Sequence, residues 1–416
     1  MKKHLTLLVL TLIALVQFFD RALMVVILEP LKQEFSLSDA QLGLLSGFSY
    51  AAAFALAGIP LGWLADRSNR RNLLAGLLAV WSLAVAFAGS ANSFAALVAT
   101  RVGVGAMDAG GQPCSVSIIS DLYSRERRAT AVSILYVGIP LGMLLGFMLG
   151  AMVAAEHGWR KAFYVAAAPG LILALLLWLL TDEPVRGGGD GLVEPAAPKL
   201  RETLSFMRGQ SALLYLIAAS VLVTASSSAM MSWIGSLLVR SHGLSLAEVG
   251  MITALCMGGF GAIGTIFFGL LADRLGANDM RAQPRLMALA AGLIALLGSA
   301  VALLPTVAGA AIALALFAGC VAGLNGPTYA LSQSLVRVNM RATSMAILVV
   351  LLNLIGVGLG PTIAGILSDL FATRFGADSV RWAMVCVLSL NLPAVWLFLR
   401  CAHTIRADLG RAGLAQ

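Results

Sequence analysis

Charge is scarce in this chain. Only 12% of its 416 residues are Asp, Glu, Lys or Arg, against about a quarter in a soluble domain. So few charges cannot coat a soluble surface of this size, which excludes a water-soluble globular protein. Cysteine is sparse too. The five residues Cys114, Cys256, Cys320, Cys386 and Cys401 are odd in number and scattered in or beside apolar runs. They give no disulfide framework and no metal-ligand spacing, and read as small packing residues. Catalytic signatures are missing as well: there is no H-E-x-x-H, no G-x-S-x-G and no P-loop. One G-x-G-x-x-G match, Gly259 to Gly264, lies inside an apolar run with no strand before it, so it is rejected as a dinucleotide site. No enzyme activity, nucleotide-driven pump, cofactor or metal is expected.

What the chain has is long apolar runs. It is 59% hydrophobic with a mean hydropathy of +0.91. A run of about 20 residues spans the hydrocarbon core of a bilayer. An all-α membrane protein is expected, surrounded by lipid. Met1-Lys2-Lys3 before an apolar stretch resembles a secretory signal. No small-x-small cleavage site follows and the apolar run continues, so this is read as a first, uncleaved membrane helix. Twelve spans are laid out, near 5–29, 42–65, 72–90, 94–119, 129–155, 160–180, 211–238, 247–271, 285–304, 306–331, 343–370 and 380–400.

The net charge of +8 does not point to nucleic acid, because the basic residues follow the loops. Twenty Lys and Arg fall on the side of the N-terminus and six on the other, with Arg21 and Arg101 inside spans. Cytoplasmic loops carry the excess of Lys and Arg, so both termini are expected in the cytoplasm. The segment from Asp182 to Gly209 holds Gly187-Gly188-Gly189 and three prolines. It reads as a linker, with Leu200 to Met207 either a short surface helix or part of a flexible tether. The expected domains are a six-helix bundle over 1–182, a linker over 183–209, a second six-helix bundle over 210–402 and a tail over 403–416.

An internal repeat supports two bundles. Gly62/Asp66/Arg67 returns as Gly269/Asp273/Arg274, and Arg128-Ala129-Thr130 as Arg341-Ala342-Thr343. Gly142 and Gly146 return as Gly356 and Gly360, 214 positions later. The G-x-L-A-D-R loop at a helix end, with basic residues before the next helix, resembles the loop signature of the major facilitator superfamily of transporters. Two bundles related by a repeat, with a site at their interface, is the expected organisation.

Span 5 places Gly138, Gly142, Gly146 and Gly150 on one helix face. Such a face lets another helix approach closely in lipid. Close packing and a sliding surface for alternating access both fit.

Ionisable groups inside spans are functional candidates by default, since each is costly in the bilayer. Span 1 offers Asp20 and Arg21, and span 4 offers Arg101 and Asp108. Arg101 and Asp108 are seven apart, hence on one face about 10 Å apart along the axis, and Gln112 is expected to continue that face. A carboxylate balanced between burial and a neighbouring guanidinium can take and release a proton. Asp20 and Asp108 are therefore proton-coupling candidates, and a static ion-pair cluster is the alternative. Arg21, Arg101 and Gln112 are substrate-binding candidates, with Tyr50, Tyr136, Ser227, Trp233, Tyr329 and Asn353 as further polar groups in spans. Gating is expected at the loop motif and its repeat. There Asp66 and Asp273 would accept from helix N-termini or pair with Arg127, Arg128 or Arg341, beside Arg67 and Arg70.

The resemblance extends below the superfamily. Phe19-Asp20-Arg21, the stretch Leu37 to Leu45, Leu64 to Arg71, Arg101-Val-Gly103-Val-Gly105 and Ile119 to Leu122 resemble the bacterial Spinster branch. So do Arg127 to Thr130, Ile139 to Gly142, Arg240 to Ser245 and Asn353 to Gly356. The resemblance implies a major facilitator fold of twelve transmembrane helices in a bacterial inner membrane. It also implies a monomer that moves a small amphiphilic substrate, lysophospholipid- or sphingoid-like, often with protons. In that family an Asp of span 1 and a Glu of span 4, with neighbouring Arg, handle substrate and proton; here they fall on Asp20, Arg21, Arg101 and Asp108. The chain departs from the family's G-x-G-E-A-G by reading Gly105-Ala106-Met107-Asp108-Ala109-Gly110. Transport of a small organic anion or drug, and a non-transporting membrane receptor or scaffold, are the competing readings.

Overall fold

The computed structural model describes residues 2–185, 200–337 and 340–411. Among the described residues all regular structure is helical. The helices are α1 (Lys2–Val26), α2 (Leu28–Phe35), α3 (Asp39–Gly43), α4 (Ser49–Arg67), α5 (Arg70–Gly89), α6 (Phe94–Asp108), α7 (Gly111–Leu122), α8 (Arg125–His157) and α9 (Trp159–Leu180). They continue with α10 (Leu200–Arg208), α11 (Ser211–His242), α12 (Leu246–Thr253), α13 (Gly261–Asn278), α14 (Ala282–Leu303), α15 (Val307–Ser334), α16 (Arg341–Leu351), α17 (Gly358–Phe375), α18 (Ser379–Leu388) and α19 (Asn391–Arg411). Of the two readings open for Leu200 to Met207, the structure shows a short helix, α10.

Ten helical runs among the described residues are long and apolar enough to cross a membrane. Two features reconcile that number with twelve spans. The fourth span is broken between α6 and α7, so neither piece reaches full length. The last run, Thr343–Arg411, is 69 residues long and holds two crossings around the short turn Gly376–Asp378.

The break in the fourth span corrects the expectation of one continuous face from Arg101 to Gln112. Helix α6 stops at Asp108, and Gln112 belongs to α7. Gly110 and Gly111, poor helix formers, stand at the stop. Proline lacks an N–H and clashes with the carbonyl four residues back, so a first turn accommodates it best, although Pro60, Pro140 and Pro169 lie inside unbroken helices of the same unit. Pro113 occupies the first turn of α7.

The chain divides into two compact units. One comprises residues 1–193 with 234–258, and the other 194–233 with 259–416. In the first unit the glycine face of α8 lies on α1. A Cβ at Gly138, Gly142 or Gly146 would strike the backbone carbonyl of Thr11, Leu15 or Phe19. The second unit repeats the arrangement. Gly356 and Gly360 approach Thr224 and Ala225 of α11, and the Ser228 hydroxyl donates to the Gly356 carbonyl at 2.9 Å. Between lipid-bathed helices the hydrophobic effect gives no net attraction, so contact area and small residues decide the packing.

The repeat is also visible in the turns. Ser36 (φ 50°) and Gly243 (φ 66°) both end a helix in the left-handed region. Two residues later, Ser38 and Ser245 cap α3 and α12 through reciprocal bonds with Gln41 and Glu248. Such capping boxes satisfy two helix-terminal donors each. Both sites precede a widened π turn, Leu44–Phe48 in one copy and Ala254–Phe260 in the other.

The α8–α1 contact leads to a stability prediction. Gly142→Val should destabilise the detergent-solubilised protein by about 1–3 kcal/mol, the usual penalty of overpacking. Gly62, where a Cβ would meet nothing within 4 Å, should accept alanine at no cost. Thermal unfolding of the two variants checks the contrast, and equal midpoints would refute a Gly142-dependent contact.

Candidate substrate and coupling site

The four charged residues of spans 1 and 4 come together in the first unit, paired crosswise between helices. Arg101 donates to both oxygens of Asp20, at 3.1 and 3.3 Å. Arg21 donates to Asp108 at 2.5 Å. Each acid thus pairs with the base of the other helix, not with its sequence neighbour. A bidentate fork of this kind fixes orientation as well as charge.

The two pairs differ in access. Asp20 and Arg101 have side chains 1% and 5% exposed. Asp108 is 7% exposed, whereas Arg21 is 34% exposed. Arg101 also lies 5.8 Å from the Phe163 ring centroid. The inner pair is sealed, and the outer pair is open on its cationic side.

Tyr50 joins the outer pair. Its hydroxyl donates to Oδ2 of Asp108 and accepts from Arg21. Tyr50 is the second residue of α4, directly after the π turn Leu44–Phe48. Such turns recur at functional sites. Gly105, one turn before Asp108, meets the Tyr50 backbone, and any Cβ there would collide with its carbonyl. The Arg21 guanidinium lies between two rings, 4.6 Å from the centroid of Phe18 and 4.9 Å from that of Tyr50. Phe18 was not singled out from the sequence. Its spacing of three from Arg21 puts it on the same helix face, and that was the available signal.

The remaining substrate candidates are placed elsewhere. Gln112 donates to the Tyr136 hydroxyl at 3.0 Å, and both side chains are exposed. In the second unit, Trp233 is fully buried and its indole N–H donates to the Pro361 carbonyl at 3.0 Å. Asn353 donates to the Val349 carbonyl one turn back, within the π turn Leu352–Val357. Ser227 is buried and, among the described residues, its hydroxyl has no hydrogen-bond partner. Tyr329 is half-buried on α15. Asn391, missed from the sequence, donates to Ser226 at 2.8 Å where α18 gives way to α19.

Of the gating candidates, the side chains of Asp66 and Asp273 lie outside the described residues. Arg67 is exposed, over the Trp63 ring at 4.2 Å. Arg70 is buried and holds the first unit together. It donates to Asp121 at 2.5 Å, Ser117 at 2.7 Å, Glu183 at 2.8 Å and the Pro184 carbonyl at 3.1 Å. Glu183 also accepts from the Arg71 backbone N–H at 2.8 Å. Glu183, at the start of the expected linker, thus packs with the first unit. Arg127 is exposed, and Arg128 donates to the Ser120 carbonyl at 2.8 Å. Arg341 donates to the Gln333 carbonyl at 3.2 Å, and the Gln333 amide donates back to the Arg341 carbonyl at 3.3 Å.

With this geometry in place, known proteins supply the relationship. The sequence model of the Major Facilitator Superfamily matches residues 10–361. An MFS-type efflux pump of Mycolicibacterium smegmatis is 28% identical over 413 residues, 96% of this chain and 93% of the relative. The mouse sphingosine-1-phosphate transporter SPNS2 is 29% identical over 284 residues, 66% of this chain and 51% of the relative. The crystal structure of a bacterial homolog of the human lysosomal transporter Spinster, inward-facing and unoccupied, superposes with a TM-score of 0.89 at 27% identity, covering 98% of each chain. The chain therefore belongs to the Major Facilitator Superfamily, as a Spinster-like multi-pass secondary transporter and not an enzyme.

Proposed function

We propose that this transporter moves an amphiphile with an anionic head together with a proton, and that Asp108 and Arg21 couple the two. The observation that carries this reading is the outer pair itself: a buried carboxylate beside an arginine whose side chain is one-third exposed and whose guanidinium is held between two rings. With Asp108 ionised, Arg21 has its counter-ion. With Asp108 protonated, Arg21 is an uncompensated cation, and the substrate's head group replaces the carboxylate as its partner. A buried charge is tolerated only when paired, so proton and anion bind together and leave together. Tyr50 holds the carboxylate in position and accepts from Arg21. Asp20, also a coupling candidate from the sequence, keeps Arg101 neutralised in the sealed pair. The name of the mouse relative supports a phosphate-headed sphingoid as the class of cargo. The excess of Lys and Arg on the N-terminal side supports cytoplasmic termini.

Uptake into proteoliposomes tests this reading, with sphingosine 1-phosphate, a lysophospholipid and a small organic anion offered in turn. Acidifying the substrate side should speed uptake of the true cargo. Asp108→Asn mimics the protonated carboxyl, so binding should persist while pH-driven accumulation fails. Arg21→Ala should weaken binding by about ten- to a hundredfold, the equivalent of a charge-assisted hydrogen bond of ~1.5–3 kcal/mol. Full pH-driven accumulation by Asp108→Asn refutes the coupling role, and wild-type affinity in Arg21→Ala refutes the head-group role.

The inner pair behaves differently. Asp20→Asn strands the buried Arg101 cation and should destabilise the protein by about 3–5 kcal/mol, as breaking a buried pair does. Asp20→Asn combined with Arg101→Gln removes both charges and should recover much of that loss. Thermal unfolding of the single and double variants in detergent distinguishes the cases, and an additive double variant would argue against a direct pair.

A further inference from the structure

Helix α5 carries a furrow that the coupling chemistry does not use. It runs between α5 and α9 and has a volume of about 470 Å³. Ala75, Gly76 and Ala79 form one wall, and Leu171, Ala174 and Leu175 the other. Its width comes from missing side chains, since a Cβ at Gly76 would meet nothing within 4 Å. From Asn72 to Ala79 it reaches about 10 Å along the helix axis, from the span end on the side of the N-terminus towards mid-bilayer. Water does not fill an apolar furrow at this depth, because it needs polar partners. Left empty, the walls would lose dispersion contacts on one side. In a bilayer the group at hand is an acyl chain, flexible enough to follow the furrow.

The membrane-surface end of the furrow is polar. Asn72 and Trp178 close it. The Asn72 amide oxygen accepts from Nε and Nη2 of Arg71 at 3.0 and 2.8 Å. Arg71 also donates through Nη1 to the Thr181 carbonyl at 2.8 Å. Both acceptors are neutral. The acids of this corner, Asp121 and Glu183, pair with Arg70, and Glu183 meets Arg71 at its backbone N–H. Among the described residues the Arg71 guanidinium has no carboxylate partner. A guanidinium has five N–H donors, and three are used here. Two remain for an outside anion, and arginine suits phosphate in particular. Trp178, three residues before Thr181, is 52% exposed. A tryptophan at a span end keeps its ring in the hydrocarbon and its N–H among the head groups.

A second furrow at the far end of α5, lined by Ala84, Phe87, Ala96 and Ala99, differs in charge. The cation there, Arg160, donates to the Ala91 carbonyl at 3.2 Å and is paired with Glu34 at 2.6 Å. A pair that is already neutral gives an anion no advantage over a zwitterion.

We propose that the furrow between α5 and α9 binds one anionic phospholipid. Its phosphate sits on Arg71, its glycerol region against Trp178 and one chain along Gly76. The site is separate from the coupling charges and does not depend on which substrate is carried.

Native mass spectrometry of the full-length protein, delipidated in detergent, tests this with phosphatidylglycerol and phosphatidylcholine of the same chains. Phosphatidylglycerol should be retained at least tenfold more tightly. Arg71→Gln should abolish that preference. Arg71→Lys, which keeps the charge and loses the fork, should keep part of it and serves if the glutamine variant folds poorly. Gly76→Leu fills the furrow from an open position and should weaken phosphatidylglycerol at least tenfold with Arg71 intact. Equal retention of the two lipids by the wild type, or a preference that survives Arg71→Gln, would overturn the site. Glycerol 3-phosphate competing at the same concentration as the whole lipid would mark a site for free phosphate and overturn the lipid. A dimer that Gly76→Leu dissociates and phosphatidylglycerol does not would put a second copy in the furrow and overturn it likewise.

Discussion

Every charge placed within a membrane span must find a partner there, and the first unit is organised by that demand. A lone ionised side chain at mid-bilayer costs several kcal/mol. Asp20, Arg21, Arg101 and Asp108 meet it by pairing across two helices. At the span ends, Arg70 pairs with Asp121 and Glu183, and Arg240 with Asp39 and Glu29. Buried pairs of this kind add little net stability over well-packed apolar groups, because desolvation offsets most of the attraction. Their effect is on specificity. A misplaced helix leaves two charges stranded, so registers that break the pairs are penalised twice. In this chain electrostatics selects the arrangement, while close contact supplies the cohesion.

The contact comes largely from glycine. In the first unit α8 lies on α1, and in the second α17 lies on α11, each through glycines facing backbone. Because those helices approach so closely, the side chains of α1 are held at a fixed height. Phe19 meets Gly146, and Asp20 and Arg21 follow it directly. The apolar packing therefore sets where the charged pair can stand. Gly105 does the same from the other side, since its contact with the Tyr50 backbone fixes the hydroxyl beside Asp108. The two kinds of interaction are not independent layers, because a bulkier residue at either glycine would shift the pair.

Much of this was legible in the sequence. The spans follow from apolar runs, and Asp20, Arg21, Arg101, Asp108 and Tyr50 stand out because polar groups are rare there. The crosswise pairing was not legible, since it depends on the register between helices that only packing decides. The break after Asp108 has only a weak signal in Gly110, Gly111 and Pro113, since Pro140 between Gly138 and Gly142 leaves α8 unbroken. The capping boxes at Ser38 and Ser245 were equally readable, with Gln41 and Glu248 three residues on. Glu29, Asp39 and Arg240 escaped for a different reason. They lie at span ends, where charge is ordinary in a sequence, and only the fold shows that Glu29 and Asp39 are buried. The π turns have no residue signature at all, and the one at Leu44–Phe48, just before Tyr50, is seen only in the fold.

The distribution of polar groups separates two jobs. In the first unit the span-buried polar groups include acids and guanidinium ions, which carry charge and can exchange partners, beside hydroxyls such as Ser49, Ser82 and Ser115. In the second they include the hydroxyls of Ser226 and Ser227 and the amide of Asn391, with Ser228 and Asn353 half-buried. Hydroxyls and amides hydrogen-bond but keep their charge at zero over any physiological pH. The proton coupling proposed above draws on the titratable charges among Asp20, Arg21, Arg101 and Asp108. The hydroxyls and amides offer hydrogen bonds whose strength is independent of pH. Duplication supplied the same helices and turns twice, and the charged residues then diverged between the copies. That divergence, more than the shared fold, is where the specific chemistry of this transporter resides.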